Sequence, residues 1–170
     1  MGAGESGQCQ RAGKKGGPQT GPNPTDRAKP GTKRHVLVDR QGTPLAFILT
    51  GANRNDTIVF EQLIDAVHPI TRPRGRPRRR PAKLHADKAY DNRRCRQALR
   101  TRHIKVRIAR KGIEPNDRLG RHRWVVERTM AWLNRFRRLT IRYERRGDIH
   151  EAFVSLACSL ICLNAINRLS

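Results

Sequence analysis

The segment from residue 83 to residue 108 constrains the fold more than any other part of the chain. A short strand-like run at 83–86 precedes a helix-like segment at 91–102, and an alternating run at 104–108 follows. Apolar residues recur with the helical period in the middle segment and with period two in the last one. The order strand, helix, strand predicts an α/β fold.

The segments around this unit extend the same prediction. Two β-rich runs at 35–39 and 44–50 flank a connection that contains Gly42, which indicates a hairpin. Helices are predicted at 58–67, at 121–137 and from Asp148 to Ile166, with Asp148 as a cap and the last helix buried. We therefore expect one domain at 34–170, with a mixed sheet flanked by helices.

Residues 1–33 have a different composition. They contain eight of the 14 glycines and four of the ten prolines, with almost no large apolar side chain. Such a segment buries too little apolar surface to offset the entropy of ordering. We expect a flexible, basic, Gly/Pro-rich arm.

The net charge indicates the kind of molecule that the chain binds. The chain of 170 residues has 37 Lys and Arg against 14 Asp and Glu, a formal net charge of +23. This balance favours a nucleic-acid partner and argues against a neutral metabolic enzyme. The apolar stretch 152–166 is interrupted by polar residues and is shorter than the roughly 20 residues that span a bilayer. We expect a cytoplasmic protein without a membrane partner, and a basic ribosome-associated protein is a disfavoured alternative.

An arginine- and proline-rich loop at 71–81 is the clearest candidate for phosphate contact. Its prolines favour an extended backbone, and guanidinium groups pair well with phosphate. We predict contacts with the DNA backbone; the alternative is an ordinary solvated loop. The arginines of this loop are Arg72, Arg74, Arg76, Arg78, Arg79 and Arg80.

Two carboxylates lack a ready structural explanation in so basic a chain. Asp87 follows the strand that opens the β-α-β unit, at the sheet edge where ligand groups are usually presented. Glu127 lies in the middle of an aromatic-rich helix, where burial of an unpaired carboxylate would be costly. The two are a plausible pair of hard ligands for Mg²⁺, although two carboxylates are few for a two-metal site. The alternative is that Glu127 pairs with Arg123 or Arg128 while Asp87 caps a turn.

Several separated motifs occur in an order that resembles one known family. They are GPNPTDR at 21–27, KRHVLVD at 33–39, LTGANRND at 49–56, ADKAYD at 86–91, RWVVER at 123–128 and DIHEAF at 148–153. Over residues 14–168 the chain resembles the catalytic domain of bacterial DDE insertion-sequence transposases of the insertion-sequence-five type. The resemblance implies an RNase-H-like fold that cuts and rejoins double-stranded DNA at the terminal repeats of an insertion sequence, using Mg²⁺ or Mn²⁺.

The resemblance also implies roles for particular residues. Asp87 matches the second catalytic Asp, and Glu127 matches the catalytic Glu of a helical R-x-x-x-E motif whose Arg is Arg123. Lys88 and Arg123 join the expected DNA contacts. The implied protein is nucleoid-associated and assembles as a homo-oligomer on DNA.

The chain departs from the family at the first catalytic Asp. The expected position falls near Ser6, and the neighbouring Glu5 is the one acidic residue nearby. We therefore expect an incomplete metal site and a sheet that lacks its first strand, as in a truncated or frameshifted reading frame. The alternative function is a catalytically inactive remnant that binds DNA.

Overall fold

The computed structural model describes residues 4–12, 16–24, 26–71, 75–110, 112 and 120–168, with the backbone alone at 4–12 and 120–123. The strands are β1 (Gly4–Ala12), β2 (Gly21–Pro22), β3 (Pro30–Val38), β4 (Pro44–Gly51), β5 (Lys83–Ala86) and β6 (Lys105–Ile108). The α-helices are α1 (Asp56–Asp65), α2 (Arg93–Thr101), α3 (Gly120–Arg135), α4 (Arg137–Thr140) and α5 (Gly147–Asn167). A short 3₁₀ helix spans Lys88–Tyr90.

The strands form one mixed sheet. Strands β4, β3 and β1 are antiparallel neighbours, and β5 and β6 continue the sheet on the other side of β1 as parallel strands. The predicted β-α-β unit is therefore present as β5, α2 and β6. The mixed sheet flanked by helices confirms the predicted RNase-H-like fold.

Strand β1 corrects two expectations about the first 33 residues. Residues 4–12 are not part of a flexible arm, and the sheet does not lack this strand. They pair along their length with β3, from Glu5 opposite Val38 to Ala12 opposite Gly31, and their first residues pair with β5. Glycine, serine and glutamine have low strand propensity, but backbone hydrogen bonds to neighbours on both sides override it here.

Two hydrophobic cores lie on the two faces of the sheet. Side chains alternate along a strand, so Val36 and Val38 face one core while Leu37 faces the other. The first core joins β3 and β4 to α3, α4 and α5. The second joins the sheet to α1, α2 and the 3₁₀ helix, where Tyr90 packs at 5.1 Å from Phe60 between ring centroids.

Helix α5 differs from its prediction in two respects. It begins at Gly147 after Arg146, so Asp148 lies in the first turn and pairs with Arg146 instead of capping. The helix is also only half buried. His150, Val154 and Ile161 face the core, whereas the opposite side of the helix is exposed in the part of the chain that the structure describes.

Buried cations join the C-terminal helices to the sheet, and the sequence did not predict them. Arg142 is 0% exposed and donates to Thr32 Oγ1 at 2.7 Å, to the carbonyl of Pro18 at 2.8 Å and to the carbonyl of Glu144 at 3.0 Å. Arg34 donates to Asn134 Oδ1 at 3.0 Å and to the carbonyl of Leu139 at 3.2 Å. A charged group that is buried loses its hydrogen bonds to water and must replace them with hydrogen bonds to protein atoms. Both guanidinium groups do so through these acceptors.

Candidate functional site

Asp87 lies where the sequence predicted it, directly after β5. Its backbone is extended, and its Oδ1 accepts the N–H of Lys88 at 2.6 Å, which caps the 3₁₀ helix. The turn-capping alternative is therefore correct as a description of the fold. The cap also holds the half-buried carboxylate at the carboxyl end of a central strand, so the two interpretations of Asp87 are compatible.

Glu127 lies on α3, which packs against β1 and β3. Its neighbours Val125 and Val126 are buried in the core, but Glu127 itself is exposed. The argument that a buried carboxylate needs an explanation is therefore wrong for this residue. The side chain of Arg123 lies outside the described residues, so the pairing of Glu127 with Arg123 stays a prediction.

Position 6 lies next to the carboxyl end of β5. In the sheet register Ser6 is opposite Ala86 on one side and opposite Leu37 on the other. Ala86 immediately precedes Asp87, so the position at which the resemblance expects the first Asp is adjacent in the sheet to the end of β5. The backbone for a third ligand position is therefore present, and the residue there is serine.

The donor set fits a divalent metal in type but is short in number. Carboxylate oxygens are the ligands that Mg²⁺ prefers, and Asp87 and Glu127 supply them. Among the described side chains, no group of three or more His, Cys, Asp or Glu residues could hold a metal ion. Two carboxylates from β5 and α3 therefore form at most part of a site.

A stacked ladder of aromatic and cationic side chains runs along α3 beside Glu127. The guanidinium of Arg128 lies 4.4 Å from the ring centroid of Trp124 and 4.9 Å from that of Trp132. Arg128 also donates to the carbonyl of Gln41 at 2.6 Å, which ties α3 to the hairpin between β3 and β4. The spacing of four residues between these side chains is visible in the sequence, which had indicated only an apolar side. Trp124 is 48% exposed, so its ring lies at the protein surface and not in the core.

The arginine-rich loop enters β5 at the end opposite Asp87. The four arginines of the loop that the structure describes, Arg76, Arg78, Arg79 and Arg80, are exposed. The loop leads into Lys83, whereas Asp87 follows Ala86, and four strand residues span roughly 13 Å. The loop and Asp87 are therefore at opposite ends of this strand. Arg72 and Arg74 lie outside the described residues.

Lys88 is a predicted DNA contact that directly follows Asp87 in the chain, and its side chain is half-buried. Arg80, in the arginine-rich loop, interacts electrostatically with Asp65. The pKa of Asp65 is lowered, chiefly by its hydrogen bond from Arg102 and also by the charge of Arg80. Asp65 lies on α1, which packs on one face of the sheet, and α3 with Glu127 packs on the other face.

The sequence matches the family described as the transposase DDE domain over residues 7–162. This span covers most of the chain, and the fold and the acidic residues agree with it. The chain therefore belongs to the transposase DDE domain family, and this result favours the transposase interpretation over that of an inactive remnant.

Two named proteins are similar to this chain in sequence. The chain is 57% identical over 153 residues to a protein of Burkholderia cepacia named as a transposase for insertion sequence element IS402, which covers 90% of this chain and 72% of that protein. It is 29% identical over 138 residues to a protein of Brucella ovis named as a transposase for insertion sequence element IS6501, which covers 78% of this chain and 98% of that protein.

Solved structures show weaker similarity. The catalytic core domain of BIV integrase has a TM-score of 0.49 and 15% identity, with 92% of this chain and 80% of that chain covered. A chain of a simian T-cell lymphotropic virus intasome has a TM-score of 0.45 and 12% identity, with 92% of this chain and 46% of that chain covered. At these values the fold assignment depends on the sheet topology described above.

Proposed function

We propose that this domain cleaves and rejoins DNA strands at the ends of an insertion sequence with a divalent metal, Mg²⁺ or Mn²⁺, and that Asp87 and Glu127 are two of its carboxylate ligands. One observation carries the proposal. Strand β1 brings position 6 next to the end of β5, which Asp87 follows, and α3 with Glu127 packs against the same strand.

Asp87 and Glu127 would hold the ion through their carboxylate oxygens. When bound, a divalent ion supplies Lewis-acid stabilisation of phosphodiester oxygens and lowers the pKa of bound water. The chain's own contribution at Asp87 is orientation, because the Lys88 N–H fixes Oδ1 and leaves Oδ2 for another partner. Ser6 would leave the ligand set one carboxylate short.

Basic side chains would bind the DNA backbone on either side of the reacting phosphate. Lys88 is adjacent to Asp87, and the exposed arginines of the 71–81 loop approach β5 from its other end. These positions support contact with duplex DNA over a distance greater than the length of β5. Binding to terminal repeats, assembly on DNA and a place on the bacterial nucleoid in the cytoplasm are parts of the same proposal.

The decisive experiment measures cleavage of a labelled duplex that carries an insertion-sequence end, in Mn²⁺. We expect Ser6→Asp to raise the cleavage rate at least about 100-fold, because a third carboxylate completes the ligand set. Adding Asp87→Asn or Glu127→Gln to the Ser6→Asp chain should remove that gain. Asn is as good a helix cap as Asp, so loss in Asp87→Asn would report the ligand and not the cap.

Asp148→Asn is the matched control, since this exposed carboxylate pairs with Arg146 on α5. It should leave cleavage unchanged. Equal cleavage by the Ser6→Asp chain with and without Asp87→Asn would refute the assignment of Asp87.

The DNA-binding part has its own test. Replacing Arg78, Arg79 and Arg80 by Gln should weaken binding to all duplex sequences about equally. It should also reduce the slope of log K against log salt by up to about 0.9 for each phosphate that the variant no longer neutralises. Arg94→Gln is the control, because Arg94 is engaged by Glu61 at 2.9 Å. A selective loss at one DNA sequence would contradict backbone contact.

A further inference from the structure

The exposed side of α5 carries a continuous apolar stripe. Ile149, Phe153, Leu156, Leu160 and Leu163 follow one another at intervals of four, three, four and three residues, which aligns them along one side of a helix. Leu156 and Leu163 are 58% and 52% exposed. The core-facing residues of α5 lie on a different side of the same helix. In the part of the chain that the structure describes, Phe153 is half-buried against the first core, and the other four residues of the stripe are exposed.

The stripe is also the least charged part of a highly charged chain. From Ala152 to Asn167 the sequence contains no Lys, Arg, Asp, Glu or His, although charged residues make up 30% of the whole. A DNA-binding surface requires cations, so this face is unsuited to DNA. Contiguous exposed apolar surface of this kind marks an interaction site.

We propose that two copies of this chain associate through the α5 stripe, with the helices antiparallel about a twofold axis. The stripe is self-complementary in this direction. Leu156 of one copy would oppose Leu160 of the other, and Phe153 would oppose Leu163, because the intervals of three, four and three residues from Phe153 to Leu163 read the same from either end. This inference does not depend on the proposed DNA chemistry.

Charge limits where a second copy can approach. Two chains of net charge +23 repel one another across most of their surfaces. The α5 stripe is a surface through which they can approach without opposing like charges. The stripe from Ile149 to Leu163 is about 21 Å long at 1.5 Å per residue, so an interface built on it alone lies at the small end of specific interfaces. We therefore expect a dimer of micromolar affinity.

A membrane is the alternative occupant. The helix has a mean hydropathy of 1.7 and is long and apolar enough to cross a bilayer by length and composition. However, its other side contributes Val154, Ala157 and Ile161 to the core beneath the sheet. Insertion across a bilayer would expose that core, so pairing of two folded copies is favoured.

The test is the mass of the 170-residue chain in solution without DNA, measured by sedimentation equilibrium up to about 100 μM. A monomer has a mass of 19.4 kDa, and we expect twice that value at the upper concentrations. The double variant Leu156→Glu/Leu160→Glu should raise the dissociation constant at least about 100-fold. Glutamate is a good helix former, so circular dichroism and the melting temperature should change little.

Ile58→Glu is the matched control, because Ile58 is an apolar residue of α1 with comparable exposure. It should remain dimeric. Raising the salt concentration tests the proposal without mutation: screening of the like charges should tighten the dimer. A monomeric wild-type chain at the highest concentration would overturn the proposal, as would equal dissociation by Ile58→Glu. Monomers that bind lipid vesicles through Leu156 and Leu160 would also overturn it, in favour of a membrane surface.

Discussion

Acidification from about pH 7 to about pH 5 should destabilise this protein through two buried histidines. His35 is 0% exposed on β3, where its Nε2 lies 2.9 Å from Thr50 Oγ1. His150 is 2% exposed on α5, and its Nδ1 lies 3.6 Å from Glu144 Oε2. Burial lowers the pKa of each from 6.5 to about 4.

The surrounding charges modify this effect without reversing it. Asp56 raises the pKa of His35 and Lys33 lowers it, and both act less than burial. Around His150, Arg142 and Arg34 lower the pKa while Glu144 raises it. Both histidines are therefore neutral in the folded state near pH 7.

The direction and size of the effect follow from proton linkage. Below its ordinary pKa of 6.5 each histidine takes up a proton in the unfolded chain, but in the folded chain it does so only near 4. Stability therefore falls as the pH drops below 6.5. At about pH 5 the loss is about 2 kcal/mol for each histidine, or ~4 kcal/mol for the pair. Carboxylates with a lowered pKa, such as Asp65, lose their contribution mainly at lower pH.

The assay is urea unfolding at the two pH values, with the difference in free energy of unfolding as the readout. His35→Gln and His150→Gln should each remove about half of the difference, and the double variant should remove most of it. His103→Gln is the control, because His103 is exposed. If the free energy of unfolding of the wild-type chain differs by less than about 1 kcal/mol between the two pH values, the reasoning is refuted. Such a result would mean that the fold does not lower the pKa of either histidine as described.

Two further predictions concern stability. Gly42→Ala should cost about 1–3 kcal/mol, because Gly42 has a φ of 81° and an added Cβ would lie 2.8 Å from Thr129 Oγ1. Gly75→Ala, at a φ of 96° but in open space, should cost less in the same thermal unfolding assay, and equal costs would contradict a clash. Arg142→Leu should cost about 3 kcal/mol by leaving three acceptors without their donor. Arg138→Leu is the control, because Arg138 is an exposed arginine that pairs with Glu144. This variant should lower the free energy of unfolding by less than about 1 kcal/mol. Comparable losses for the two variants would contradict a special role for Arg142.

The local patterns of the chain were sufficient to predict where Asp87 lies in the fold. The strand before Asp87, the helix after it and the alternating run at 104–108 have their own periodicities, so the β-α-β unit and the strand-end carboxylate could be predicted from neighbours in sequence. The hairpin between β3 and β4 and the helix α1 also follow from local residue types. These features depend on interactions within a few residues.

Glu127 shows where that reasoning becomes insufficient. It was singled out because the surrounding helix is apolar, and the helix is indeed packed on the sheet. Which side of the helix faces the core depends on the elements that meet it, and Glu127 is on the exposed side. The resemblance selects Glu127 without any argument from burial, and its role as a metal ligand stays a proposal. The argument from burial was wrong.

The sequence alone determined the order of the main strands and helices after residue 34, the large positive charge and the acidic residue at the end of β5. Only the tertiary structure decided that the Gly- and Ser-rich residues 4–12 form a strand between β3 and β5, that Arg142 is buried, and that one side of α5 faces solvent. The physical reason is the range of the interactions. Propensity and periodicity act over a few residues, whereas strand pairing and burial depend on partners up to about a hundred residues away, such as Thr32 for Arg142.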